Sequence, residues 1–268
     1  DLSQSEDYVM INSGAHTSNE VYLLPRTDLT TTPALMTARA ENFEYYVDHR
    51  KSNLAAGDEH GEFIIRSNQR QVNFDLYRTP EDQPEKDNWV LWIQGDERTY
   101  LTGHLALADY VIVTERIDGL DQIRVVKRND EHHYIEFPED AYDVNLGVMP
   151  DYATHTLRLG YTSMVTPNTV FDYALIEHTL TTRKVQEIPS GYDAAEFITS
   201  RLMAPARDGV DVPVSLVHHR DTPIDGSAPL YLYAYGAYGY AMPPYFSASR
   251  ISLLQRGFIF AIAHIRGG

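Results

Sequence analysis

The stretch Leu232-Tyr233-Ala234-Tyr235-Gly236-Ala237-Tyr238-Gly239 interleaves tyrosines with small residues. Small side chains at 234, 236, 237 and 239 let the backbone turn tightly, and the tyrosines can present rings or hydroxyls to a pocket. A phenol fixed beside an acyl carbon under attack would steady the developing oxyanion, an effect of about 3 to 4 kcal/mol per donor. The same rings would serve equally as packing groups, so residue type alone leaves both readings open. No nucleophile accompanies them. The sequence holds no Gly-x-Ser-x-Gly, and Ser227, in Gly226-Ser227-Ala228-Pro229, lacks a second glycine and precedes a strand rather than following one. Cysteine is absent, which excludes disulfides, thiolate metal sites and a cysteine nucleophile together. His132 and His133 are adjacent, as are His218 and His219, and neighbours on a strand face opposite ways, so neither pair can share one metal. No metal and no cofactor are expected.

The elements that must carry this loop are legible around it. Residues 229–235 read as an apolar strand, 236–244 as a glycine- and proline-bearing loop, 246–257 as a helix with its stop, and 258–264 as a second apolar strand. Ser247 or Ser249 can cap the helix, Ile251 and Leu254 share a face, and Gly257 stands where a left-handed C-terminal residue is wanted. Strand, loop, helix, strand, with both strands apolar on both faces, predicts a parallel sheet covered by helices. Before it, 197–206 and 212–219 predict an antiparallel pair turning at Asp208-Gly209. That order opens the sheet of an α/β-hydrolase, in which the loop after the third strand supplies one oxyanion donor. His264 sits near a strand's carboxyl end, where packing is its expected role.

Residues 1 to about 190 are dense in short β-type runs. Paired runs begin at Tyr8, Phe63, Tyr110 and Leu157, with steps of 55, 47 and 47, and further strands fit at 43–47, 90–93 and 144–148. Spacings of this size suit four-stranded propeller blades, about four of them, with a β-sandwich as the alternative. A boundary falls near 191. The expected class is therefore mainly β with α/β: propeller blades over 1–191, then the first strands and one helix of an α/β-hydrolase domain over 192–268. With 38 acidic against 22 basic side chains the net charge is −16, which argues against nucleic acid. No run is long and apolar enough for a membrane span, and the absence of cysteine fits a cytoplasmic protein. The opening Asp1-Leu2-Ser3-Gln4 has neither an initiator Met nor a signal region, so a start internal to a longer protein is expected.

YAYGAYG at 233–239, followed by FSASRISLLQRGFIFAIAHIRGG at 246–268, resembles the prolyl oligopeptidase family of serine peptidases. ARDGVDVPVSLVHHR at 206–220 and YTSMVTPNTVFDYAL at 161–175 are similar to its oligopeptidase B branch. The resemblance covers most of the chain and is strongest from about 155 onward. It implies a seven-bladed propeller capping an α/β-hydrolase domain, the blades counted above being later ones. It also implies that Tyr235 donates its hydroxyl to the oxyanion and that Tyr238 lines the pocket for the residue preceding the cleaved bond. Nucleophile, acid and histidine would then lie beyond Arg266-Gly267-Gly268, so none of the 11 histidines present is expected to act as general base. The chain is expected to be a truncated or proteolytic piece, inactive alone. Its partners would be short peptide substrates and a carboxyl-terminal catalytic portion, carried as a second chain or by the same polypeptide. Ala234 replaces a usual glycine, and Pro243 and Tyr245 stand where oligopeptidase B enzymes tend to carry aspartates, which puts a preference for paired basic residues in doubt. The acidic balance still favours cleavage after Arg or Lys. A non-enzymatic propeller that binds peptides or proteins is the alternative.

Overall fold

The computed structural model describes residues 1–54, 57 and 59–267. Four antiparallel meanders follow one another along the chain. The first joins β1 (Tyr8–Gly14), β2 (Asn19–Pro25) and the two-residue β3 (Ala34–Leu35). The second is β4 (Tyr45–Arg50), β5 (Glu62–Ser67), β6 (Asp75–Pro80) and β7 (Val90–Ile93). The third is β8 (Thr99–Ala106), β9 (Tyr110–Ile117), β10 (Leu120–Lys127) and β11 (His132–Tyr134). The fourth is β12 (Tyr142–Leu146), β13 (Thr156–Ser163), β14 (Thr169–Ala174) and β15 (Thr179–Val185). Among the described residues none of these sheets closes on itself.

The runs at Phe63, Tyr110 and Leu157 lie on second strands, whereas Tyr8 lies on the first strand of its sheet. Ahead of β1 the chain nevertheless pairs with it, through an isolated bridge Leu2–Val9 and the bonds Ser3 N–H to Tyr8 O and Met10 N–H to Asp1 O. A rudimentary first strand thus stands where the other sheets have a full one. Its polar residues, Ser3, Gln4 and Ser5, gave no alternation to read.

Two compact units emerge from the contacts. One comprises 1–117, 122–135 and 149–155; the other 118–121, 136–148 and 156–268. In the first unit, Val21, Leu23, Tyr45, Phe63 and Ile65 form one buried cluster, and Ile64, Leu76, Leu101, Val111 and Val113 form another. Phe63 and Ile65 therefore serve one cluster and Ile64 the other, as the alternation of side chains along a strand requires. Polar clamps join sheets that share no backbone ladder. Asn19 on β2 bonds both backbone groups of Tyr45 on β4, donating to its carbonyl at 2.6 Å and accepting its N–H at 2.9 Å. The Tyr45 hydroxyl, inside the core, accepts the Val21 N–H at 2.8 Å and donates to the Thr37 carbonyl at 2.9 Å.

The second unit contains the fourth meander and a mixed sheet in the order β16 (Phe197–Pro205), β17 (Asp211–His219), β21 (Ile259–Ala263), β18 (Leu230–Ala234). β16 and β17 are antiparallel around Gly209, which takes φ 83°, and β18 lies parallel to β21 as the sequence predicts. Strand order explains a difference in burial. β21 is interior and its middle residues are buried, whereas β18 is the edge strand and is exposed throughout. Helix α1 (Ala248–Leu254) is shorter than expected, and its cap residue Ser247 hydrogen-bonds Ser249 Oγ at 3.0 Å instead of a helix amide. Gly257 takes the left-handed φ of 85° that its place demands.

Replacing Tyr45 by Phe would leave the Val21 N–H and the Thr37 carbonyl unpaired in the core. The expected loss is about 1 to 3 kcal/mol, read as a lower urea midpoint at unchanged slope. A midpoint within error of the parent chain would show that the clamp is dispensable.

Candidate functional site

Tyr235 follows β18 directly, and the segment after it is a small hairpin: β19 (Gly236–Ala237) pairs antiparallel with β20 (Tyr240–Ala241). The sequence reads this segment as a loop, since two-residue strands carry no periodicity. Its turn residues, Tyr238 and Gly239, take φ values of 56° and 74°. A two-residue hairpin turn with both central residues at positive φ is the type I′ geometry, usually built from Asn-Gly. Tyrosine in that conformation costs roughly 1 to 2 kcal/mol. Tyr238 projects with 89% of its surface exposed.

Close backbone contact holds the hairpin. A methyl group on Gly236 would meet the Arg266 carbonyl oxygen at 2.8 Å, and one on Gly267 would meet the Gly236 carbonyl oxygen at 2.3 Å. Gly239 N–H donates to the Gly267 carbonyl at 3.0 Å. The glycines of YAYGAYG and of the following Arg-Gly run are thus two sides of one contact. Tyr235 is 40% exposed, its ring lies edge-on to Tyr240 at 6.0 Å, and its hydroxyl has no hydrogen-bond partner among the described residues.

Tyr245 lies elsewhere in function. Its ring sits 5.0 Å from the Arg250 guanidinium, which Phe260 faces at 3.9 Å, and its carbonyl accepts from Arg250 Nη1 at 2.8 Å. Position 245 therefore braces a buried helix arginine.

Histidines assemble in ways the sequence does not announce. His264, just after β21, and Ser215 on β17 are both buried, with Nε2 and Oγ 2.8 Å apart. In the first unit, His49 lies between Ser5 Oγ, 2.8 Å from Nδ1, and Glu81 Oε2, 3.0 Å from Nε2. The order serine, histidine, carboxylate imitates a charge-relay array. Its environment forbids that role: Ser5 is sealed in, hydrogen-bonds Ser3 Oγ at 2.8 Å and accepts the Asp7 N–H. No carbonyl can approach that hydroxyl, and burial lowers the His49 pKa against the pull of Glu81.

Beside His49, the Asp48 carboxylate accepts three backbone amides, those of Gln4, His49 and Ala106, each at 2.8 Å. Burial nonetheless raises its pKa to about 6, the amide bonds pulling the other way. His104 is pushed down to about 3 by burial and by the charge of Arg66.

The comparisons with known proteins fit this geometry. The family model for the N-terminal β-propeller domain of prolyl oligopeptidase matches residues 1–186, ending one residue past β15. The chain belongs to the prolyl oligopeptidase family. It is 34% identical to dipeptidyl aminopeptidase BI of Pseudoxanthomonas mexicana, over 99% of this chain and 36% of that protein. It is 31% identical to protease 2 of Moraxella lacunata, over 99% of this chain and 37% of that protein. Among solved structures, oligopeptidase B from Leishmania major superposes with a TM-score of 0.86 at 30% identity, over all of this chain and 38% of that one. The Trypanosoma brucei oligopeptidase B, in a closed form with covalently bound antipain, gives 0.87 at 25% identity. The chain thus spans a little over a third of the length of these relatives.

Asp48 yields a pH test. Its folded pKa lies above the ordinary carboxylate value, so the folded state holds this proton more tightly than the unfolded state does. Its contribution is full below about pH 4 and is lost as pH rises through about 6, on the order of 3 kcal/mol. The lowered histidines act in the opposite sense, so the readout is the difference in stability between the parent chain and Asp48→Asn across pH 4 to 7. A difference independent of pH would refute the assignment.

Proposed function

We propose that this chain is part of a serine oligopeptidase that hydrolyses short peptides, contributing propeller blades over 1–191 and the opening of an α/β-hydrolase domain over 192–268. The observation that carries this reading is the phenol of Tyr235, exposed at the tip of a parallel strand with its hydroxyl unclaimed. A serine from polypeptide beyond this chain would attack the peptide carbonyl, and a histidine would take and return its proton. Tyr235 would then donate to the oxyanion together with a backbone amide beside the serine. Tyr238, held out on its strained turn, would face the residue preceding the scissile bond. The meander architecture and the end of the family match at 186 support the division at 191.

A preference for Arg or Lys before the cleaved bond rests on the net charge of −16, a field that concentrates cationic peptides near the protein. The segment Met242-Pro243-Pro244-Tyr245 adds no carboxylate to it. A cytoplasmic setting belongs to the same reading, supported by the cysteine-free sequence; no described helix is long and apolar enough to cross a membrane.

In the longer enzyme, Tyr235→Phe should lower kcat by roughly 100- to 1000-fold with little change in KM. The 268-residue chain alone should release no product from peptide or ester substrates. An undiminished kcat in the variant would remove Tyr235 from the mechanism, and inhibitor-sensitive turnover by the isolated chain would remove the need for an outside nucleophile.

A further inference from the structure

The first unit contains a cavity of about 360 Å³ unrelated to the tyrosine hairpin. Its wall draws on three consecutive sheets at their first strands: Gln4 from the rudimentary strand, Asp48 from β4 and His104 from β8, with Arg66 on β5 beside them.

Arg66 is 8% exposed and makes no ion pair among the described residues; burial lowers its pKa, against a hydrogen bond with Tyr100 and the more distant charge of Glu44. Nη1 donates to the Leu101 carbonyl at 2.9 Å, whereas Nε is buried with no acceptor. Two rings hold the guanidinium, Tyr46 and Phe74, each with its centroid 4.3 Å from Cζ. Burying a cation with no carboxylate paired to it is costly, and ring faces offset only part of that cost.

Neighbouring groups do not fill the role. The Asp48 oxygens are taken by three amides. His104 is neutral, with its Nε2–H given to the Ile64 carbonyl at 3.0 Å. What the wall offers is a guanidinium whose Nε–H is unused, a charged donor suited to one carboxylate oxygen. Access depends on Tyr46. Phe74 is fixed in the core, but Tyr46 is 41% exposed, and its hydroxyl is tied only to Glu44 Oε2, at 3.0 Å. Its ring is the movable side of the sandwich.

We infer that this cavity is a carboxylate-binding site in which Arg66, uncovered by movement of the Tyr46 ring, takes the carboxylate of a small organic acid or of a peptide C-terminus. The peptide source rests on the peptidase reading, but the site itself rests on the first unit alone, and hydrolysis is not its readout. Long-range charge opposes anions on a protein of net charge −16, so acid-selective binding would have to come from a local donor.

The test is calorimetric titration of the whole 268-residue chain with N-acetyl-trialanine, with its C-terminal amide, and with acetate. The acid should bind about tenfold or more tightly than the amide. Arg66→Gln should abolish that preference, and Tyr46→Ala should retain it with a several-fold gain in affinity. Acetate binding without peptide binding would assign the site to free acids; binding of both acids would admit peptide termini. Equal affinity for acid and amide, no binding of any carboxylate, or a preference that survives Arg66→Gln would each overturn the inference. Should Arg66→Gln fail to fold, Tyr46→Ala decides: loss of the acid preference there counts against the site.

Discussion

One carboxylate organises the first unit. Asp48 accepts amides from the rudimentary strand, from its own strand β4 and from β8, so three sheets that share no ladder are indexed to a single side chain. Sheets packed face to face slide easily on apolar contact alone, because dispersion and burial are nearly indifferent to register. A buried acceptor with three fixed donors is not indifferent. It costs desolvation, visible in the raised pKa, and in return it fixes the three first strands against one another. The clamp of Asn19 and Tyr45 does the same between β2 and β4.

In the second unit the corresponding constraint is steric. Gly236 and Gly267 bring two backbone segments closer than any Cβ allows, and the hairpin that results forces a tyrosine to positive φ at its tip. Edge placement of β18 then leaves Tyr231, Tyr233 and Tyr235 in the open. In this chain the exposure of β18 follows from strand order, not from residue type.

Pattern made the strands legible and left the networks dark. Period-two alternation and turn residues located the paired runs at Tyr8, Phe63, Tyr110 and Leu157, the hairpin at Asp208-Gly209 and the parallel pair β18 and β21, because those signals are local. The rudimentary strand carries no such signal, since Gln4 and Ser5 are held by bonds to residues more than 40 positions away. Nothing in the spacing of Ser5, His49 and Glu81 brings them together; the pairing of β4 with β5 and of β5 with β6 places Glu81 near His49, and the segment before β1 brings Ser5 to the other side of the ring. Tyr235 and Tyr238 were singled out by type and resemblance, but the strained turn that presents Tyr238 needs the backbone to be seen.

Arginine usage ties these observations together. Arg66 lies between Tyr46 and Phe74, Arg250 between Tyr245 and Phe260, and Arg78 against Trp92 at 4.4 Å. A guanidinium is flat and weakly hydrated, so it can replace a ring in an aromatic stack where an ammonium could not. Arg250 shows the consequence for the site. Its charge is met by two ring faces and one carbonyl, and the residue that supplies both a ring and the carbonyl is Tyr245, where an aspartate was expected. An aspartate there would have its carboxylate drawn to Arg250. Tyrosine leaves the arginine caged by two rings and a carbonyl, with no ion pair among the described residues.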